Sequence, residues 1–330
     1  MSTTLSDRAL ERARTCPHGL LFHRLHDAGR SPDGQGSLTG EDLRRVLDAV
    51  GVEHILSPAE WTRRVREGSL GAQDRCLTFD DGLASQHRVA LPILDALGLK
   101  AFWFVHSSVF EGRPDRNEIA QLLAARHFAS FADFIEEFLG RCPPPVRAAL
   151  DGPAFPAFAA ALQATAGFYS ERDLAYRYVR NRVLDAAGFA RIVDEMLLGR
   201  GLTAEALGSG LWMDNRDLAA LSSDGHWIGL HSYDHPFELA RLSPAEQRSQ
   251  YERNAEHIAR VTGCRPRSMS HPLNSYDEST LRILADLGVE CGFRDDMLAP
   301  PGGALNRGPL ELARLDAAHF VRTLASAAPA

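Results

Sequence analysis

The run Cys76–Phe79, ending on Asp80, Asp81 and Gly82, constrains this chain most strongly. Its apolar stretch is too short for a helix and compact enough for a buried strand. A helical pattern follows over Ser85–Leu97, with Pro92 as an expected kink and Gly98 as an expected stop. Lys100–Val105 (KAFWFV) then reads as a second buried strand. A strand, helix and strand in this order lay the strands parallel and the helix outside them.

The same grammar recurs along the chain. Gly19–His23 reads as an early strand and Glu41–Val50 as a helix. His226–His231 reads as a strand. A helix opens at Ser243 with proline at its first position and Glu246 three residues after the cap, and it stops at Gly263. A strand at Arg267–Ser270, a helix at Glu278–Leu287 and a strand at Val289–Phe293 complete the pattern. Repeated short units of this kind predict a barrel or an open parallel sheet. From about 111 to 210 the pattern is helical throughout, with Phe128, Phe131, Phe134, Ile135, Phe138 and Leu139 at three-to-four spacing.

With 45% hydrophobic and 24% charged residues, the 330-residue chain has an ordinary globular composition. A net charge of −7 argues against a nucleic-acid or anionic-membrane surface. No apolar run approaches the ~20 residues of a membrane span, and the first residues lack the apolar core of a secretory signal. Five scattered cysteines with no C-x-x-C point to a reducing, cytoplasmic setting.

Two motifs carry chemistry. Asp80 and Asp81 stand at a strand's C-terminal end, where α/β folds place their sites, and two adjacent carboxylates call for a nearby cation. The bland reading is a strand-to-helix turn with one aspartate as a cap. His231 and His235 stand four apart. On a continuous strand they would lie ~13 Å apart, so sharing an ion requires the loop after His231 to fold His235 back. Together the motifs offer a carboxylate and two imidazoles for a divalent ion, plus a second carboxylate free to act as a base.

TFDDG followed by H-S-x-x-H resembles the NodB-homology polysaccharide deacetylases, carbohydrate esterase family 4. The resemblance covers roughly 19–101 and 212–320. It implies an α/β fold, a distorted (β/α) barrel, and here an inserted all-helical subdomain at about 111–210. An N-terminal extension (1–18) precedes the barrel, which spans 19–330 around the insertion. The resemblance implies a hydrolase of amide bonds, with Asp80 as general base and Asp81, His231 and His235 as metal ligands. The implied ion is divalent: zinc first, with cobalt, manganese or nickel as alternatives.

Departures from the family pattern shape the remaining expectations. The third motif resembles R-P-P-x-G, but here it reads Ser270-His271-Pro272-Leu273-Asn274-Ser275, without the arginine that braces the base. Arg294 and Arg314, at the ends of strand-like segments, are candidates to replace it, Arg294 also for binding substrate. Leu273 offers a backbone N–H for an oxyanion, His271 is a candidate catalytic residue and Asn274 a candidate substrate contact. The general acid falls to His23, with His26 and His319 as alternatives. In the helical stretch, Arg177 and Arg180 are candidates to grip a diphosphate, and Phe168, Tyr169, Tyr176 and Tyr178 read as core. The expected substrate is a small amino sugar or nucleotide sugar of a surface-polysaccharide or related glycan pathway, carrying an N-acetyl or N-formyl group. No nucleic acid or membrane partner is expected, and a homo-oligomer is left open. The same fold acting on a non-sugar amide or ureide, and a non-catalytic sugar-nucleotide binder, are the alternatives.

Overall fold

The computed structural model describes residues 12–27, 33–34, 36–165, 169–300 and 302–327. Two compact units emerge: a barrel unit built from Ala9–Arg113 and Gly210–Ala330, and a unit containing Pro114–Ser209. Phe168 and most of the expected N-terminal extension lie outside the described residues.

Among the described residues, seven parallel strands form the barrel: β1 (His18–Phe22), β2 (Arg75–Asp80), β3 (Phe102–Val105), β4 (Trp227–Leu230), β5 (Ser268–Ser270), β6 (Cys291–Phe293) and β7 (Arg314–Asp316). Their order is β6-β5-β4-β3-β2-β1-β7. A parallel bridge between Phe293 and Leu312, just before β7, brings the two edges together. The barrel is therefore nearly closed and distorted. The helix expected over Ser85–Leu97 is broken: a π-helical turn over Gln86–Ala90 precedes an α-helix at Leu91–Ala96. Pro92 has no N–H to carry an unbroken α-helical ladder through this stretch.

Period-two alternation sorts the strand residues between two layers. On β3, Trp103 and Val105 pack outward with Leu77, Phe79 and Leu230. Phe102 and Phe104 pack inward with Cys76, Cys291 and Phe293, the Phe102 and Phe293 ring centroids 5.3 Å apart. The same alternation aims Thr78 and Asp80 of β2 inward. Gly229 of β4 has no room for a side chain, since a Cβ there would lie 2.5 Å from the Phe104 ring and 2.7 Å from Ser268 Oγ. Gly229→Ala is expected to cost about 1–3 kcal/mol by overpacking, read as a lower urea midpoint with unchanged slope. An unchanged midpoint contradicts this packing.

The Pro114–Ser209 unit has helices at Arg116–His127, Phe131–Arg141, Ala154–Thr165, Glu171–Tyr178 and Ala186–Leu198. Its core gathers Phe134, Phe138, Tyr176 and Phe189, all fully or almost fully buried. Arg177 and Arg180 do not form an exposed pair. Arg180 is buried, with Nη1 donating to Asn117 Oδ1 at 2.7 Å and Nε to Asn181 Oδ1 at 2.7 Å. Arg177 lies over the Tyr169 ring, 4.0 Å from its centroid, so Tyr169 is a platform for an arginine. The i, i+3 spacing placed these arginines on one face, but that face is turned into the unit.

Candidate active site

The C-terminal ends of β2, β4 and β5 converge on one buried cluster. Asp81 follows β2 with φ 75°, which turns its carboxylate toward the β4 loop. In that loop Ser232 (φ 64°) and His235 (φ 53°) are also left-handed, and Ser232 Oγ accepts the His235 N–H at 3.1 Å. The loop thus folds His235 back over His231, with ring centroids 4.8 Å apart. Leu273 (φ 48°) and Asn274 (φ 58°) follow β5. These five are the non-glycine residues with positive φ among those described, and all sit in the site loops. Such conformations cost about 1–3 kcal/mol each and persist where surrounding structure enforces them.

The second helix after the β4 loop does much of that enforcing. Asn254 of Pro244–Thr262 accepts the His231 N–H at 2.9 Å and donates to Val105 O and Ser107 Oγ. Ser107 Oγ in turn meets His257 Nδ1 at 2.8 Å, and His257 Nε2 meets Asn215 Oδ1 at 2.9 Å. Gln250 Oε1 accepts the Tyr233 and Asp234 N–H groups. Gln86 stitches the β1 and β2 loops, donating to the carbonyls of His23 and Asp80.

His231 Nδ1 lies 2.9 Å from the Ser270 carbonyl, so this nitrogen carries the proton and Nε2 presents its lone pair to the cluster. Asp81 Oδ1 lies 3.5 Å from His231 Nε2 and 3.7 Å from His235 Nε2. Ligand bonds of ~2.0–2.1 Å at a tetrahedral angle separate donor atoms by about 3.4 Å. The donor set, its spacing and the carbonyl behind His231 therefore fit a divalent ion. Burial alone would lift the Asp81 carboxyl, but His231, His235 and His23 hold it well below the usual carboxylate range. Burial would lower the His231 imidazole, yet Asp80 and Asp81 raise it. Asp95, Asp224 and His226 form another close trio. Lys100 pairs with Asp224 there, and the Ala101 N–H occupies His226 Nδ1, so that trio is a closed ion-pair cluster.

Arg314 supplies the cation beside Asp80. Its Nη1 donates to Asp80 Oδ1 at 2.7 Å and its Nη2 to Asp80 Oδ2 at 2.8 Å, a bidentate pair. It also donates to Thr78 Oγ1, Ser270 Oγ and the Arg294 carbonyl. Arg314 opens β7, whereas the sequence placed it at a strand end. It pairs with Gly19 of β1, which pairs with Cys76 of β2, so it reaches up the barrel interior to Asp80. Gly19 makes room, since a Cβ there would lie 3.0 Å from Arg314 Cγ. Against burial, which favours the neutral acid, Arg314 and His231 keep the Asp80 carboxyl below its ordinary range.

His23 follows β1 and places Nε2 3.9 Å from Asp80 Oδ2, with its side chain 34% exposed. The Leu273 N–H has no partner among the described residues, and Leu273 is exposed at the rim. Other expected residues hold loops in place. Arg294 is fully buried and donates to Asp296 and to the carbonyls of Leu298, Leu305 and Glu311, so it is not placed to bind substrate. Asn274 donates to Asp296 Oδ2 at 2.6 Å, which engages the amide expected to meet substrate. His271 turns Nε2 to the Leu310 carbonyl at 2.9 Å and stacks on Tyr276, its centroid 4.0 Å away. Burial pulls the His271 imidazole down to about 3, so it stays neutral and has no proton to exchange at the site. His26 meets Ser37 Oγ at 2.5 Å, and Asp316 accepts the His319 N–H at the start of Ala317–Ala327.

The sequence reading missed Ser270, whose Oγ donates to Asp80 Oδ2 at 2.9 Å. It also missed Asp295, exposed just past β6, whose N–H meets Asn274 Oδ1 at 3.4 Å. The signal for both was present, since each stands at the C-terminal end of a recognised strand.

Residues 201–292 match the family model for polysaccharide deacetylase. The stretch includes His231 and His235. Over 79 residues the chain is 30% identical to the uncharacterized protein YlxY of Bacillus subtilis (strain 168). That match covers 23% of this chain and spans about a quarter of the relative's length (24%). A Streptococcus pyogenes deacetylase, PplD, solved in complex with acetate, superposes with a TM-score of 0.53 at 16% identity, covering 94% of this chain and 97% of that one. IcaB from Ammonifex degensii superposes with a TM-score of 0.51 at 13% identity, covering 93% and 96%. At these identities the structural likeness is one of fold. The family match is thus confined to residues 201–292, and the solved structures show that the chain shares its fold with a deacetylase. Beside that match stand a helical unit at Pro114–Ser209 and an arginine on β7 that braces the first aspartate.

Proposed function

We propose that this chain is a metal-dependent hydrolase that removes an N-acetyl or N-formyl group from an amino sugar or an activated amino sugar. The observation that carries the reading is Asp80, ionised and clamped by Arg314, beside the Asp81, His231 and His235 trio. A divalent ion in that trio, zinc before cobalt, manganese or nickel, would acidify water and polarise the acyl oxygen. Asp80 takes the proton of the attacking water, its carboxylate held in place by Arg314 and Ser270. The Leu273 N–H is available to the oxyanion of the tetrahedral intermediate. His23, near Asp80 and open to solvent, gives its proton to the departing amine. The amine and the carboxylic acid are the two products.

Five cysteines without disulfides support a cytoplasmic setting, and no helix among the described residues is long and apolar enough to cross a membrane. A small sugar or nucleotide sugar of a surface-polysaccharide or related glycan pathway suits that setting better than a finished wall polymer.

The test is acyl release from N-acetyl and N-formyl sugars and nucleotide sugars, by metal-stripped protein reloaded with zinc, cobalt, manganese or nickel. Asp80→Asn is expected to lower turnover by about 100- to 10,000-fold with metal content unchanged. Asp81→Ala and His231→Ala are expected to lose the ion. No release across the panel, or full turnover by Asp80→Asn, overturns the reading.

A further inference from the structure

His106 is completely buried just past the end of β3, and neither of its ring nitrogens has a hydrogen-bond partner. A buried polar group left unsatisfied costs about 1–3 kcal/mol, so this residue calls for an explanation that apolar packing does not give. Its backbone is extended (φ −91°, ψ 135°), so β3's alternation continues to it. Phe102, Phe104 and His106 therefore share the inner face, with His106 one step beyond the Val105–Leu230 pair and so level with His231. Its ring centroid lies 5.5 Å from that of His235, close to the 4.8 Å that separates His231 from His235. Strand register brings the partner group near: Asp80 pairs with Phe104, so Asp81 stands diagonally across from His106. Burial drops the His106 imidazole to about 4, against the pull of Asp81, so it is neutral with one N–H to give.

We propose that His106 is a positioning residue of the metal centre, whose N–H is taken up by the Asp81 carboxylate oxygen that an ion held by Asp81, His231 and His235 leaves free. This inference rests on the metal reading above. It gives the buried imidazole the partner it lacks and fixes the Asp81 carboxylate in one orientation. Outer partners of this kind are worth about 10- to 100-fold in metal affinity.

The experiment is competition between the protein and a chromophoric chelator for Zn²⁺ and Co²⁺, with wild type, His106→Leu and His106→Gln. His106→Leu is expected to bind either ion about 10- to 100-fold more weakly, and His106→Gln, which restores an N–H, to recover part of the loss. Metal-free His106→Leu is expected to melt no lower than metal-free wild type, because it removes an unsatisfied buried group. This separates an effect on the centre from general loss of fold. A wild type that binds and a His106→Leu that binds as tightly overturn the inference alone. A shifted Co²⁺ visible spectrum in His106→Gln, reporting a changed ligand set, also overturns it, by making His106 a ligand. A wild type that takes up no ion overturns the metal reading and this inference with it.

Discussion

Arg314→Met is expected to lower the unfolding free energy by about 3–5 kcal/mol, because it leaves the buried Asp80 charge without its partner. Arg314 is 1% exposed and Asp80 2%, so solvent cannot substitute for the guanidinium. With the bidentate pair gone, burial prevails and the Asp80 carboxyl moves up into or above its ordinary range. The acid limb of the turnover profile is therefore expected to move toward neutral pH, since a protonated Asp80 cannot accept a proton. Arg314→Lys keeps a charge but loses the two-pronged geometry, so it is expected to fall between wild type and Arg314→Met. Asp80→Asn combined with Arg314→Met removes both charges and is expected to recover stability without recovering turnover. Urea unfolding and the pH profile together check this. An Arg314→Met protein with wild-type stability and an unmoved acid limb contradicts it.

That arginine also marks where sequence reading stops. Asp80, Asp81, His231 and His235 were legible because motif spacing and strand ends are local properties. The brace was not, because it depends on which side chain of a distant strand points into the barrel. Arg294 and Arg314 looked equivalent in sequence, both in strand-like segments. In the structure, carbonyls of the β6–β7 connection surround Arg294, whereas the space above Gly19 lets Arg314 run up the barrel axis. His106 was missed for a different reason. KAFWFV reads as a uniformly apolar strand, and the alternation that carries Phe102 and Phe104 inward continues one step beyond it. His271 and Asn274 are turned instead to the β6–β7 connection, one to the Leu310 carbonyl and the other to Asp296. Helical periodicity located the stretch from about 111 to 210 but could not tell whether the Arg177 and Arg180 face is solvated or packed.

The barrel unit is expected to unfold in mild acid, losing about 6 kcal/mol between pH 7 and pH 5. His18 is held at about 3 by burial and by Arg75, His271 at about 3 by burial, and His226 at about 4 by burial and by Lys100. All three stay neutral in the folded chain, while the unfolded chain binds a proton at each below about pH 6.5. Below that pH the unfolded state holds more protons, so stability falls as pH falls, by about 1.4 kcal/mol per unit for each histidine until its folded value is reached. His231 works the other way, since its raised value adds stability as pH falls, but it is one group against these three and His106, which burial holds at about 4. Asp80 and Asp81 are lowered, so their contribution is still intact at pH 5 and is lost only in stronger acid. A domain with about 5–15 kcal/mol in total cannot absorb a loss of this size without a visible transition. Urea titrations of metal-free protein at pH 7.5, 6 and 5 are expected to show the fall. His18→Gln and His271→Gln, which remove the titrating groups, are expected to flatten it relative to their own stability at pH 7.5. A stability that stays level from pH 7.5 to 5 means that these imidazoles take up protons within the fold, which contradicts their burial.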